Sequence, residues 1–98
     1  MIQSSQISGK PMAAYQQLSV AGTAVGLTIP VGANKCLIVA ETADVRWRDD
    51  GTDPTATVGM PLFTNQSLEL DNETSMANFK AIRTGSTSTL NISYYKTA

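Results

Sequence analysis

The stretch VRWRDDGTDPTATVGMPL, Val45 to Leu62, decides the fold. It holds the only Trp of the chain, two arginines, three aspartates and two of the four prolines. Val45 and Trp47 fall on one side of an extended chain and Arg46 and Arg48 on the other, the period of two that marks a half-buried strand. Asp49, Asp50 and Gly51 follow with turn chemistry: short acceptors that bond nearby backbone, then a residue free to take positive φ. A second segment leaves the turn. Pro54 is barred from the middle of a hydrogen-bonded strand, Ala56 and Val58 can pack inward, and Gly59 with Pro61 breaks the extended run before Leu62.

Working outward, Lys35 to Glu41 (KCLIVAE) is the most apolar run, which predicts a strand buried on both faces near the middle of a sheet. It joins the Val45 strand through a hairpin or a corner between sheets. Tyr15 to Val20 and Val25 to Ile29 alternate as strands, the second with Val25, Leu27 and Ile29 on one face. Leu68 and Leu70 point inward around Glu69, and Asn65 with Gln66 makes the turn before them. Phe79 to Arg83 and Thr89 to Tyr95 complete the set, joined at Thr84-Gly85-Ser86 by a loop with the glycine of a tight hairpin. Leu90, Ile92 and Tyr94 share the inward face of the last strand, and Tyr95 looks the other way. Asp71 or Asn72 can cap a single helical turn with Glu73 at its start. Seven or eight short strands, with turn signals about every ten residues, predict a single all-β domain, an antiparallel β-sandwich or jelly roll over residues 15–98. Its core is expected to include Leu27, Ile29, Leu37, Val39, Val45, Trp47, Leu68, Leu70, Phe79, Leu90 and Ile92. Residues 1–14 read as an N-terminal arm with no core face of its own.

Composition narrows the function. Of 98 residues, 15% are charged, against about 25% in typical domains, so much of the polarity comes from Ser, Thr, Asn and Gln. A net charge of -1 with scattered basic residues argues against nucleic acid, whose phosphates need clustered Lys and Arg. With no His and one Cys, an internal disulfide is impossible, a zinc site lacks ligands, and the usual general base is missing. No cofactor and no catalytic set are expected. The first residues, MIQSSQISGK, lack the pattern of a signal peptide, and no run approaches the roughly 20 apolar residues of a membrane span, so synthesis and retention in a cytoplasm are expected.

Candidate sites are few. Asp49, Asp50 and Asp53 offer hard oxygen ligands for calcium, but without the EF-hand spacing, and aspartates also simply favour turns. Cys36 reads as a small core residue. Trp47 is either the keystone of the core or an exposed ring that anchors an interface. Arg46 and Arg48, pointing outward together, are either solvated charge or anchors for a partner's carboxylates. Together with Tyr95 and the arm residues Met1, Ile2 and Ile7 they form the expected interface.

The run from Arg46 to Leu62, with Phe79-x-x-Ile82 and the closing Leu90-x-Ile92-x-Tyr94-Tyr95, resembles small proteins encoded in the structural gene blocks of tailed bacteriophages and prophages. The shared pattern is an Arg-aromatic-Arg strand at Arg46 to Arg48, the Asp50-Gly51 turn, Pro54-Thr55, and Gly59-Met60-x-Leu62. The resemblance implies a virion structural protein with no active site. The leading expectation is a capsid decoration or cement protein that bridges major capsid subunits and self-associates into a symmetric oligomer, located in the virion and made in the bacterial cytoplasm. Alternatives are a tail or head-to-tail junction component and, from another class, a carbohydrate-binding module for host-surface recognition.

Overall fold

Alternation of buried and exposed side chains along the two longest strands builds the first layer. In the computed structural model, which describes residues 9–97, β1 (Lys10–Val20) pairs antiparallel with β8 (Ser88–Lys96). β8 also pairs with β3 (Lys35–Glu41), and β3 with β6 (Ser67–Leu70). These strands form sheet I, in the order β1-β8-β3-β6. Sheet II has the order β2-β7-β4-β5, made of β2 (Val25–Gly26), β7 (Lys80–Arg83), β4 (Val45–Arg48) and β5 (Met60–Leu62). The eight antiparallel strands among the described residues, in these two orders, are the two interleaved Greek keys of a jelly roll. The expected all-β sandwich is therefore what the chain forms.

In this topology successive strands change sheets. Only β4 and β5 are neighbours both in sequence and in one sheet. The link between β3 and β4 is a corner, and the Thr84-Gly85-Ser86 loop carries the chain from sheet II to sheet I rather than closing the expected tight hairpin. The corner is stitched by two side chains. Ser88, fully buried, places its hydroxyl 2.9 Å from the carbonyl of Glu41 and 2.6 Å from that of Ala43. Asp44 Oδ1 accepts from the backbone N–H and the hydroxyl of Thr64, at 2.8 and 2.9 Å, and its carbonyl accepts from Thr84 Oγ1.

The core lies between the sheets. Cys36, Ile38 and Ala40 of β3, Leu90, Ile92 and Tyr94 of β8, Val20 and Leu70 face Val45, Leu62 and Ala81 of sheet II. Each such large aliphatic or aromatic side chain contributes about 1.5–3 kcal/mol by leaving water. Of the expected core, Val45, Leu70, Phe79, Leu90 and Ile92 are buried, while Leu27, Ile29, Trp47 and Leu68 are half-buried against the cluster. Leu27 and Ile29 lie beyond the two-residue β2, in the connection to β3.

Leu37 and Val39 are a correction. They pair laterally with Ser93 and Asn91 on one side and Glu69 and Ser67 on the other, on the outer face of sheet I, where they are half-buried. An antiparallel sandwich buries one face of each sheet, and β3 buries its even-numbered residues. Ala56 and Val58, expected inside, are exposed, and Pro54 is buried in their place.

The helical signal holds. α1 (Glu73–Asn78) is capped by Asn72, whose side-chain oxygen accepts from Ser75 N–H at 2.7 Å, and it buries Met76. The first strand starts at Lys10 rather than Tyr15, so Lys10 to Ala14 belong to the sheet. A shift in register between Pro11 and Tyr15, with Ala13 at φ 54°, marks a bulge there. Met1, Ile2 and Ile7 lie outside the described residues.

Candidate interaction surface

The expected interface residues do not form one patch. Arg46 and Arg48 project from β4 on the outer face of sheet II. Tyr95 pairs with Lys35 and Pro11 on the outer face of sheet I, on the other side of the sandwich.

The two arginines are also engaged within their own chain. Arg46 Nη1 donates to the carbonyl of Gly59 at 2.8 Å, and its Nε is buried with no hydrogen-bond partner among the described residues. This closure needs a glycine. At φ 147°, a Cβ on residue 59 would stand 3.1 Å from Pro54 Cβ and 3.2 Å from Arg46 Cβ, closer than side chains tolerate without displacement. Arg46 is thus a strut under the loop from Asp49 to Gly59 and not a free anchor. Arg48 forms a two-point contact with Asp50, Nε to Oδ1 at 3.0 Å and Nη2 to Oδ2 at 2.5 Å. That hydrogen-bonded guanidinium holds the Asp50 carboxyl below the usual carboxylate range and raises Arg48 in turn. Asp50 Oδ1 also accepts from Thr52 N–H at 3.3 Å, and Gly51 takes φ 87°, which completes the turn read from the sequence. Among the described residues no group of three or more His, Cys, Asp or Glu is placed to hold a metal ion.

The loop ends in a presented apolar edge. Thr55 and Val58 exchange backbone hydrogen bonds at 2.8 and 3.3 Å, and Thr55 Oγ1 accepts from the N–H of Thr57 and of Val58. This small turn pushes Val58 out. From there the chain enters β5, the last strand of sheet II; Met60 in that strand is 57% exposed, Val58 before it and Phe63 after it are 53% and 51% exposed, and Pro61 is exposed as well. Arg48, Asp49 and Asp50 border a depression of about 400 Å³ against Val58, Gly59 and Met60. The sequence carries a signal for this edge: residues 54–68 contain no Asp, Glu, Lys or Arg. An exposed edge strand without charge is a template for contact with another chain, and Pro61 limits it by removing one backbone donor.

On sheet I the largest exposed aromatic is Tyr15, 64% exposed. Its hydroxyl donates to Asn91 Oδ1, which also accepts from Gln17 Nε2 at 3.0 Å, and Asn91 Nδ2 donates to Glu41 Oε1 at 2.8 Å. The ring is therefore held in place while its face stays open to solvent. Cys36 is inert by comparison: burial pushes its thiol up to about 12.

Comparison with family profiles, with curated proteins and with solved structures gives no match.

Proposed function

We propose that the chain is a structural protein of a tailed bacteriophage or prophage virion, a decoration or cement protein that binds across contacts between major capsid subunits. The observation that carries this reading is the exposed, charge-free edge from Val58 to Phe63. It offers apolar contact area rimmed by the polar Arg48-Asp50 pair, the layout of a protein-binding patch. Two further features support it. The jelly roll is a recurrent fold of viral capsid proteins, and the Arg46 to Leu62 pattern resembles phage structural proteins. Binding at each contact can be weak, because a shell presents many copies at once.

The test is the copy number of the chain in purified particles produced by the genome that encodes it, by quantitative mass spectrometry against the major capsid protein. On the order of hundreds of copies per particle supports decoration, and loss of those copies on Met60→Lys with Phe63→Lys assigns the contact to the β5 edge. A handful of copies moves the protein to the tail or head-to-tail junction. Absence from the particle overturns the virion reading.

A second reading, a carbohydrate-binding module, is favoured by one observation: the anchored and exposed ring of Tyr15 is the kind of platform on which a sugar stacks. Binding on a glycan array that is lost on Tyr15→Ala would select it.

A further inference from the structure

Sheet I ends in a strand whose outer edge is long and almost without charge. The edge strands of the two sheets are β1 and β6 of sheet I and β2 and β5 of sheet II. Three of them are guarded by brevity, charge or proline: β2 has two residues, β5 has three with Pro61 among them, and β6 has four with Glu69 exposed on it. β1 has 11 residues, and no Asp, Glu, Lys or Arg occurs from residue 11 to residue 34. Pro11 and the bulge at Ala13 interrupt only its beginning, so the run from Tyr15 to Val20 is regular. We infer that a second copy of this chain pairs with this run, β1 against β1 antiparallel about a two-fold axis that passes over Gln17 perpendicular to the sheet.

The backbone of that run is paired on one side only. Tyr15 to Val20 face Ser93 to Ser88 of β8 in unbroken register. Among the described residues, no backbone–backbone hydrogen bond other than those of that ladder involves residues 10–20. The segment that passes beside the edge does not take up these groups: the Thr28 N–H donates at 3.2 Å to the side-chain oxygen of Gln16, not to its backbone. A depression of about 380 Å³ stays open there, lined by Ala14, Tyr15, Gln16, Thr28, Pro30 and Tyr94. Alternate N–H and C=O groups of an antiparallel strand point to each side, so the outer edge presents a row of donors and acceptors for another strand.

Charge and symmetry select the occupant. An uncharged edge gives a charged strand no counter-charge, whereas β1 of a second copy brings no charge beyond Lys10. A two-fold axis perpendicular to the sheet turns donors onto acceptors, so an antiparallel edge fits itself and needs no second kind of surface. Over Gln17 the axis sets Tyr15 against Ser19, Gln16 against Leu18 and Gln17 against itself, and it carries each Lys10 past the end of the opposing strand. The two Gln17 amides meet as donor and acceptor. The Tyr15 hydroxyl and Gln17 Nε2 already donate to Asn91 Oδ1, so these two side chains lose less freedom on association. The joined sheet runs β6-β3-β8-β1 through the axis and out again in the reverse order, a width that natural sheets commonly reach. The inference goes beyond the virion reading and stands independently of it, because it leaves the β5 edge outside the contact.

The experiment is sedimentation velocity on the full chain from about 1 μM to about 1 mM, a range that covers weak specific association. The wild type is expected to pass from monomer to dimer. Gln17 is exposed, so Gln17→Lys and Gln17→Glu keep the fold, checked by circular dichroism, while each sets like charges face to face at the axis. Each is expected to raise the dimer dissociation constant about tenfold or more. An equimolar mixture of the two variants then recovers a dimer, since opposite charges meet at the axis. A wild type that stays monomeric throughout overturns the inference. So does a dimer indifferent to both substitutions, a mixture that fails to recover association, or a dimer abolished by Met60→Lys on the β5 edge.

Discussion

The rings of Trp47 and Phe79 stack 5.9 Å apart with 25° between their planes, joining β4 to the residue that leads into β7. Phe79 is fully buried and Trp47 half-buried, so the pair closes the core where the helix gives way to sheet II. Trp47→Ala removes a large apolar surface and leaves Phe79 facing a void. The expected cost is about 3 kcal/mol, a fall in melting temperature of roughly 12–24 °C for a domain this size. A double-mutant cycle with Phe79→Ala should return a coupling of about 0.5–1.5 kcal/mol, the range for a stacked aromatic pair. Additive losses would mean that the two rings contribute separately.

Asp44 joins the β3–β4 corner to Thr64 and Thr84. Asp44→Ala leaves the Thr64 N–H without its acceptor and is expected to cost about 1–3 kcal/mol in urea denaturation. Asp44→Asn keeps an acceptor at Oδ1 and should recover part of that loss. Equal losses for the two variants would assign the effect to charge and not to the hydrogen bonds.

Cys36 and Tyr94 face each other across the β3–β8 ladder, and both are pushed up to about 12, in each case mainly by burial. The unfolded chain releases these protons near the ordinary values of 9.0 and 10.0, whereas the native state keeps them. Between those values and about 12 the unfolded state therefore binds fewer protons, and stability falls as pH rises. The protection is complete below pH 9 and is lost as pH climbs toward 12. Urea midpoints measured across this range should decline, and Cys36→Ala should flatten the first part of the decline. The same burial predicts that the native thiol reacts slowly with an alkylating reagent near neutral pH and quickly once the chain is unfolded.

How much of this was legible in the sequence depends on the range of the contact. Val45, Leu90 and Ile92 are readable because alternation alone assigns them to a face. Leu37 and Val39 are not, because an unbroken apolar run has no period to show which face is inside; their pairing with Ser93, Asn91, Glu69 and Ser67 settles it. Alternation likewise puts Arg46 outward, but nothing local announces that the carbonyl of Gly59 will receive it. The glycine and Pro54 were visible as breakers, and their packing against each other depends on the tertiary path of the loop. The β5 edge left a plain trace in the absence of charge between Asp53 and Glu69, although whether such a stretch faces the core or solvent is fixed only by the sheet order.

The two arginines of β4 should behave differently, although they share a face. Arg46→Glu removes the donor to the Gly59 carbonyl and sets a carboxylate near it, so the loop loses its strut and gains a repulsion. The expected loss is at least about 2 kcal/mol. Arg46→Met keeps most of the side-chain volume and removes the unpartnered Nε together with the hydrogen bond, and should cost less. Gly59→Ala attacks the same closure from the other side, through positive φ and the approach of Pro54 Cβ, and should cost about 1 kcal/mol or more. Arg48→Ala breaks only an exposed pair with Asp50 and is expected to leave the urea midpoint unchanged, as solvent-screened ion pairs contribute little. If Arg46→Glu left the midpoint where it was, Arg46 would return to the candidates for a partner's contact.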